Sequence, residues 1–288
     1  MNKVAIVTDT TVSIPEELIR KYGIQVVPLL LHADNKTYKD TIDIKTPDEL
    51  FQLVKNSSQF PTTSAPPPSE YAEVYRQLSQ KVNSIITITI SSNLSMCFQS
   101  ARQASEIIKS KLPDINIEVF DSKTTVGAMG LIVLATARAA NSGQDMEAIV
   151  KIAEDIRSKV NLLYIFDTLS YLAKSGRISK AAALSGNMLS MKPITEITTS
   201  LGRPFVVARP RSKKKALQAL LGLVKQRVRT NDSLHVMVEH VCSPQEAERL
   251  EDIVTDQFNC AEVLLCEYNP IASLIVGPGV VGLDFYQG

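Results

Sequence analysis

The 288 residues suffice for one large domain or two ordinary ones, and a composition 44% hydrophobic and 21% charged describes a globular chain with a sizeable core. A net charge of +1, no Trp and only 6% aromatic residues argue against nucleic-acid binding, which needs a basic field and stacking platforms. Four cysteines without a C-x-x-C pair, and three histidines (His32, His235, His240) without metal-ligand spacing, predict a reduced, cytoplasmic protein that needs no metal. The apolar run in MNKVAIVTDT is too short for a secretory signal, and the longest apolar stretch, 130–137, ends at Arg138, so any membrane contact is expected to be peripheral.

Along the first half, strands and helices alternate. KVAIVTD reads as a strand, and SIPEELIRKYG as a helix with Ser13 as N-cap, Pro15 near its first position and Gly23 as its stop. IQVVPLLLH is strand-like, with Pro28 marking an edge or bend. TPDELFQLV carries a capping box, Thr46 with Glu49. QFPTTSAPPPSEY is too rich in proline for regular structure. Helix EYAEVYRQL, strand SIITITI, helix LSMCFQSARQASEIIKSK, strand INIEVFD and helix TVGAMGLIVLATARAANSG follow. Strands that are apolar throughout, each followed by a helix, indicate a doubly wound, mainly parallel sheet covered on both faces.

After about residue 160 the pattern changes. NLLYIF, KPITEIT and RPFVVARPR are strands, followed by helix SKKKALQALLGLVKQRV, strand SLHVMVEHV, helix SPQEAERLEDIVTDQF and strand AEVLLCEY. ASLIVGPGVVGLDFY reads as two strands around Gly277 and Gly279. The expectation is a two-domain α/β protein: residues 1–160 around the parallel sheet, and residues 161–288 around a mixed sheet.

The chain lacks the P-loop, H-E-x-x-H and G-x-S-x-G, and no G-x-G-x-x-G joins a predicted strand to a predicted helix as a dinucleotide site needs. What remains is polar loops at the carboxyl ends of strands, where doubly wound sheets bind ligands. They are Thr8–Thr11, Thr62–Ser64 and Ser91–Ser95. Hydroxyls and helix-start N–H groups suit an acceptor-rich, negatively charged group; with no Lys or Arg within the second and third segments, a carboxylate fits better than a polyphosphate. The alternative use of each segment is a helix cap or a turn. Ser95 as an enzyme nucleophile, in a hydrolase or transferase, would need a base that no motif supplies. A small phosphosugar-binding protein is a third reading.

TTSAPPPSEY followed about thirty residues later by ISSNLSMCFQSA resembles the most specific stretches of the DegV family. VTDTTVSIP, VFDSKTTVGAMG, FDTLSYLAKSGRIS, MLSMKPI and GPGVVGLDF extend the resemblance over essentially the whole chain, in order. It implies a non-enzymatic, two-domain carrier holding a long-chain fatty acid (such as palmitate, stearate or oleate) in an apolar tunnel between the domains. It also implies presentation of the carboxylate to a separate fatty-acid kinase. By motif, Thr63 and Ser95 hold the carboxylate, supported by Ser64, Ser91, Ser92 and Asn93, with Ser91 or Ser92 capping the following helix. Met129, Met188, Leu189, Met191 and Ile275 are candidate tunnel residues, and Arg177 and Arg209 candidate contacts to the partner or to phosphate. No cofactor beyond the fatty acid is expected, and the protein is expected as a monomer or weak dimer. The chain departs from the family pattern at Met96, Cys97, Ile275 and Val276, where the family commonly has Gly, Thr, His and Thr.

Overall fold

The computed structural model describes residues 4–179, 191–229 and 232–288. The chain opens with β1 (Val4–Asp9), α1 (Glu16–Tyr22), β2 (Gln25–Val27), β3 (Leu30–Ala33), β4 (Lys36–Lys39), α2 (Pro47–Asn56) and β5 (Thr62–Ser64). It continues with α3 (Pro68–Leu78), β6 (Ser84–Thr89), α4 (Cys97–Lys109), β7 (Asn116–Asp121), α5 (Val126–Asn141) and α6 (Met146–Lys159). Then come β8 (Asn161–Ile165), α7 (Ser170–Lys174), β9 (Ile194–Ile197), β10 (Pro204–Ala208), α8 (Lys213–Arg227) and β11 (Leu234–His240). The last elements are α9 (Pro244–Gln257), β12 (Cys260–Glu267), α10 (Pro270–Val276) and β13 (Val281–Gln287).

The fold is mixed α/β. A parallel sheet has the order β2-β1-β6-β7, and a mixed sheet the order β10-β9-β8-β13-β11-β12, in which only β11 and β12 run parallel. A small antiparallel sheet, β4-β3-β5, lies apart from both. Every residue of β6 is buried. Its period of two sends Ile85 toward α3 and α4, where Tyr71, Tyr75 and Ala101 pack, and sends Ile86 and Ile88 toward the α5 side. Each of these isoleucines contributes roughly 1.5–3 kcal/mol by leaving water. Thr87, on the Ile85 face, is satisfied by the Tyr75 hydroxyl at 2.7 Å. Helix α5 contacts β1 and β6 on one side and β8, β11 and β13 on the other, which explains why it is apolar on all sides rather than amphipathic. The outer face of the mixed sheet is closed by α8 and α9 through Leu220, Val224, Leu250 and Val254.

Several local expectations change. The first helix begins after Pro15, with no side-chain cap, and Ser13 is buried instead. The proline-rich stretch does contain a strand: β5 pairs only with β3, and its prolines, Pro61 before and Pro66 to Pro68 after, flank the paired residues. Residues 270–276 are helical, because Pro270 takes an initial position and the apolar turn packs on α2 and α7. Thr46 does cap α2, accepting from the Glu49 amide at 3.2 Å, whereas the Glu49 carboxylate accepts from Lys45 rather than Thr46.

Candidate functional site

A cavity of about 750 Å³ opens where the ends of β1, β5 and β6 face β8, β9 and α10. This volume falls within the range of small-molecule sites. Its polar wall comes mainly from two segments, Thr63–Ser64 of β5 and Ser92–Ser95 after β6; Leu162, Phe166, Ile197, Ile271 and Ala272 supply much of the apolar wall. Thr63, Arg177 and Ile275 also border a second cleft of about 590 Å³, beside Lys174 and Phe60.

Buried carboxylates shape the hydroxyl loops. Asp9, at the end of β1, accepts from the Thr11 amide at 3.1 Å and from the Ile90 amide at 2.9 Å, binding the ends of β1 and β6 together. Burial raises its pKa. Asp121, at the end of β7, accepts from the Ser92 and Lys123 amides and pairs with the Lys123 ammonium at 2.8 Å. Lys123 in turn donates to the Ser92 hydroxyl. Thr10 accepts from the Leu29 amide, so the Asp9 and Thr10 side chains serve the backbone, and of the Thr8–Thr11 segment only Thr11 reaches the cavity.

The expected head-group residues divide by use. Thr63, Ser64, Ser92, Asn93 and Ser95 all line the cavity. Ser91 does not: it is fully buried and donates to the Gly202 carbonyl at 2.7 Å, while the Asn93 amide donates to the Leu201 carbonyl at 2.8 Å. These two bonds fasten the β6–α4 loop to the β9–β10 turn. Gly202 has φ of 61°, and a Cβ there would sit 2.5 Å from Ser91 Oγ, so the turn needs glycine twice over. Neither Ser91 nor Ser92 caps α4: Met96 occupies the cap position without a side-chain bond, and Ser95 precedes the helix. The Ser95 hydroxyl lies 3.2 Å from the Cys97 thiol, and among the described residues nothing hydrogen-bonds the Thr63 hydroxyl.

The expected tunnel residues fare unevenly. Ile275 lines both cavity and cleft. Met129 is fully buried in the core with Ile86 and Ile88, because α5 is enclosed by two sheets and only its first residue, Val126, and the preceding Thr125 touch the cavity. Val126 has φ of 43°, a conformation costly for a β-branched residue. Met191 is half-buried away from the cavity wall, and Met188 and Leu189 lie outside the described residues. Arg209 is exposed beyond β10 and borders neither space. Arg177 is half-buried; its guanidinium donates to the Ser175 carbonyl, and no carboxylate among the described residues pairs with it. Burial lowers its pKa. His235 stacks on Tyr286 and bonds Glu262, His240 adjoins Glu267, and neither lines the cavity with Ser95.

Sequence reasoning missed a buried acidic pair behind the cavity wall. Glu239 of β11 and Asp284 of β13 are fully buried, and both contact the hydroxyl of Tyr164, a wall residue. One hydroxyl proton cannot serve two carboxylates, so one carboxyl must donate back. Burial raises the pKa of both acids, reinforced at Asp284 by the neighbouring Glu239 charge, so the pair retains a proton.

Helix α10 carries Ile271, Ala272 and Ile275 to the cavity and is held from the far side. Asp40, just after β4, accepts from the Ile271 amide at 3.1 Å, and the Asn269 amide donates to the Thr10 and Val12 carbonyls. Burial pushes the Asp40 carboxyl up to about 7. An unfolded aspartate ionises near pH 4. The folded state therefore holds this proton more tightly, and stability declines as pH rises from about 4 to about 7, by at most about 4 kcal/mol. Asp40→Asn is expected to remove that slope from urea-unfolding free energies; an unchanged slope assigns it to other groups.

Among the described residues no helix is long and apolar enough to cross a membrane, and no cluster of His, Cys, Asp and Glu is arranged to hold a metal ion.

Fold and cavity together define an α/β protein of two main sheets, with an apolar chamber whose polar wall is built of hydroxyls. A family model described as "Uncharacterised protein, DegV family" matches residues 3–288, and the chain belongs to the DegV family. A DegV domain-containing protein of Clostridium perfringens is 30% identical over 282 residues, 98% of either chain. Protein DegV of Bacillus subtilis is 27% identical over 97% of this chain and 98% of its own. Among solved structures, a DegV family protein from Thermus thermophilus, described as fatty-acid binding, superposes with a TM-score of 0.90 at 28% identity, covering 99% of this chain and 100% of that one. DegV from Bacillus subtilis, described as a fatty acid binding protein, gives 0.87 at 26% identity, each chain fully covered.

Proposed function

We propose that this protein is a cytoplasmic, non-enzymatic carrier of a long-chain fatty acid. The acyl chain lies in the cavity between the halves 1–160 and 161–288, and the carboxylate lies at Thr63 and Ser95. The observation that carries this reading is the wall itself: an apolar chamber bearing the Thr63 hydroxyl and, at its border, the half-buried Arg177, the first without a hydrogen-bond partner and the second without a counter-ion among the described residues. Each buried methylene contributes roughly 0.8 kcal/mol, so a C16 chain gains about 10 kcal/mol before the entropic cost of binding. The fatty-acid binding described for the Thermus thermophilus and Bacillus subtilis relatives supports the same ligand class. The cleft beyond Thr63 and Arg177 supports presentation of the carboxylate to a second protein, a fatty-acid kinase, with the carrier itself a monomer or weak dimer.

Equilibrium dialysis against radiolabelled palmitate tests this. About one equivalent per chain is expected, competed by oleate and stearate and not by dihydroxyacetone phosphate. Competition by the phosphate compound alone contradicts the reading.

A further inference from the structure

His32 stands half-buried on β3, between two hydroxyls. Its Nε2 lies 2.8 Å from Ser64 Oγ on β5, and its Nδ1 lies 3.0 Å from Thr37 Oγ1 on β4. Strand register brings them together. His32 is directly opposite Thr37 and Thr62, and Ser64 follows Thr62 by two residues on the same face. Ser64 lines the cavity beside Thr63.

A serine hydroxyl has a single proton to give. When the imidazole nitrogen facing it is bare, that proton is drawn to His32 and only lone pairs face the cavity. When that nitrogen carries hydrogen, Ser64 Oγ accepts from it, and the serine proton is free to donate into the cavity. An anion in the cavity favours the second arrangement. The imidazolium form supplies it fully, donating to Ser64 and Thr37 at once and adding a positive charge behind the serine.

Among the described residues, the charged groups nearest His32 on the small sheet are paired or face away, while Arg177, which lines the cavity with Ser64, pairs with no carboxylate. Lys39 shares its face of the small sheet and pairs with Glu70 of α3 at 2.9 Å. Asp34, in the β3–β4 turn, accepts from the Ser58 amide and hydroxyl. Lys36 lies opposite Ala33, on the other face. Thr62 and Ser64 of β5 are uncharged. No carboxylate among the described residues hydrogen-bonds the imidazole, so a bound anion is the partner its charge would meet.

We propose that His32 is a positioning residue for anion recognition: it turns the Ser64 hydroxyl into the cavity and couples carboxylate binding to proton uptake by the imidazole. This rests on the fatty-acid reading given above. Imidazole is the side chain whose ordinary protonation falls between about pH 5 and 8.

The test is palmitate affinity of the full chain from pH 5.5 to 8.5, for wild type, His32→Gln and Ser64→Ala, with circular dichroism to verify folding. Wild-type affinity is expected to fall about tenfold across the interval, the scale of one hydrogen bond to a charged group. His32→Gln is expected to lose that slope and to match the alkaline wild type, and Ser64→Ala to keep only the weaker slope that the imidazolium charge alone supplies. A wild-type slope retained in His32→Gln overturns the role of His32 while leaving the carrier intact. Hydrolysis of a 4-nitrophenyl acyl ester that Ser64→Ala abolishes also overturns it, since the pair would then be nucleophile and base. Absence of palmitate binding at every pH overturns the carrier reading and this inference together.

Discussion

Replacing Thr63 and Ser95 together by alanine is expected to weaken palmitate binding about tenfold or more. A hydrogen bond to a charged group contributes about 1.5–3 kcal/mol, and water entering the emptied site recovers only part of it. Thr63 is the better donor of the two, since nothing among the described residues competes for its hydroxyl, whereas Ser95 is already 3.2 Å from the Cys97 thiol. The single Thr63→Ala variant should therefore lose more than Ser95→Ala. Dialysis of the three variants checks this, and unchanged affinity in the double variant moves the head group to another part of the wall.

Gly282→Ala is expected to cost about 3 kcal/mol of stability, the upper part of the range for overpacking a core. Gly282 lies on β13, with Tyr164 opposite on β8 and Glu239 opposite on β11. A Cβ at Gly282 would lie 1.7 Å from the Tyr164 ring. The ring cannot yield without leaving Glu239, Asp284 and its edge contact with Tyr268, whose centroid is 5.7 Å away. Because Tyr164 is a wall of the cavity, the same substitution should lower palmitate affinity. Urea unfolding measures the first effect and dialysis the second. An unaltered midpoint would mean that Tyr164 is not pinned by the acidic pair.

Much of this architecture is written locally. SIITIT announces a strand buried on both faces, Thr46 and Pro47 announce the start of α2, and Pro28 falls at the break between β2 and β3. Other elements escape because their signal is weak or ambiguous. The 270–276 run is too short for its period to separate helix from strand. β4 is a polar hairpin arm with little burial to pattern it. α6, by contrast, had a readable start, Asp145 accepting from the Ala148 amide at 2.9 Å, with Ile149, Ala153 and Ile156 on its buried face. The site follows the same division. Thr63 and Ser95 stand out by motif, but the cavity that both line assembles distant segments. The meeting of His32 with Ser64 depends on β5 pairing with β3, which the prolines argued against. The acidic pair depends on β13 lying between β8 and β11, an order that no local pattern encodes.

Denaturing solvent extraction of the purified protein, followed by mass spectrometry, tests the central claim most directly. The account predicts about one equivalent per chain of a saturated or monounsaturated acid of fourteen to eighteen carbons. An empty extract, together with no uptake when palmitate or oleate is offered, would contradict it and would assign this cavity to a different ligand.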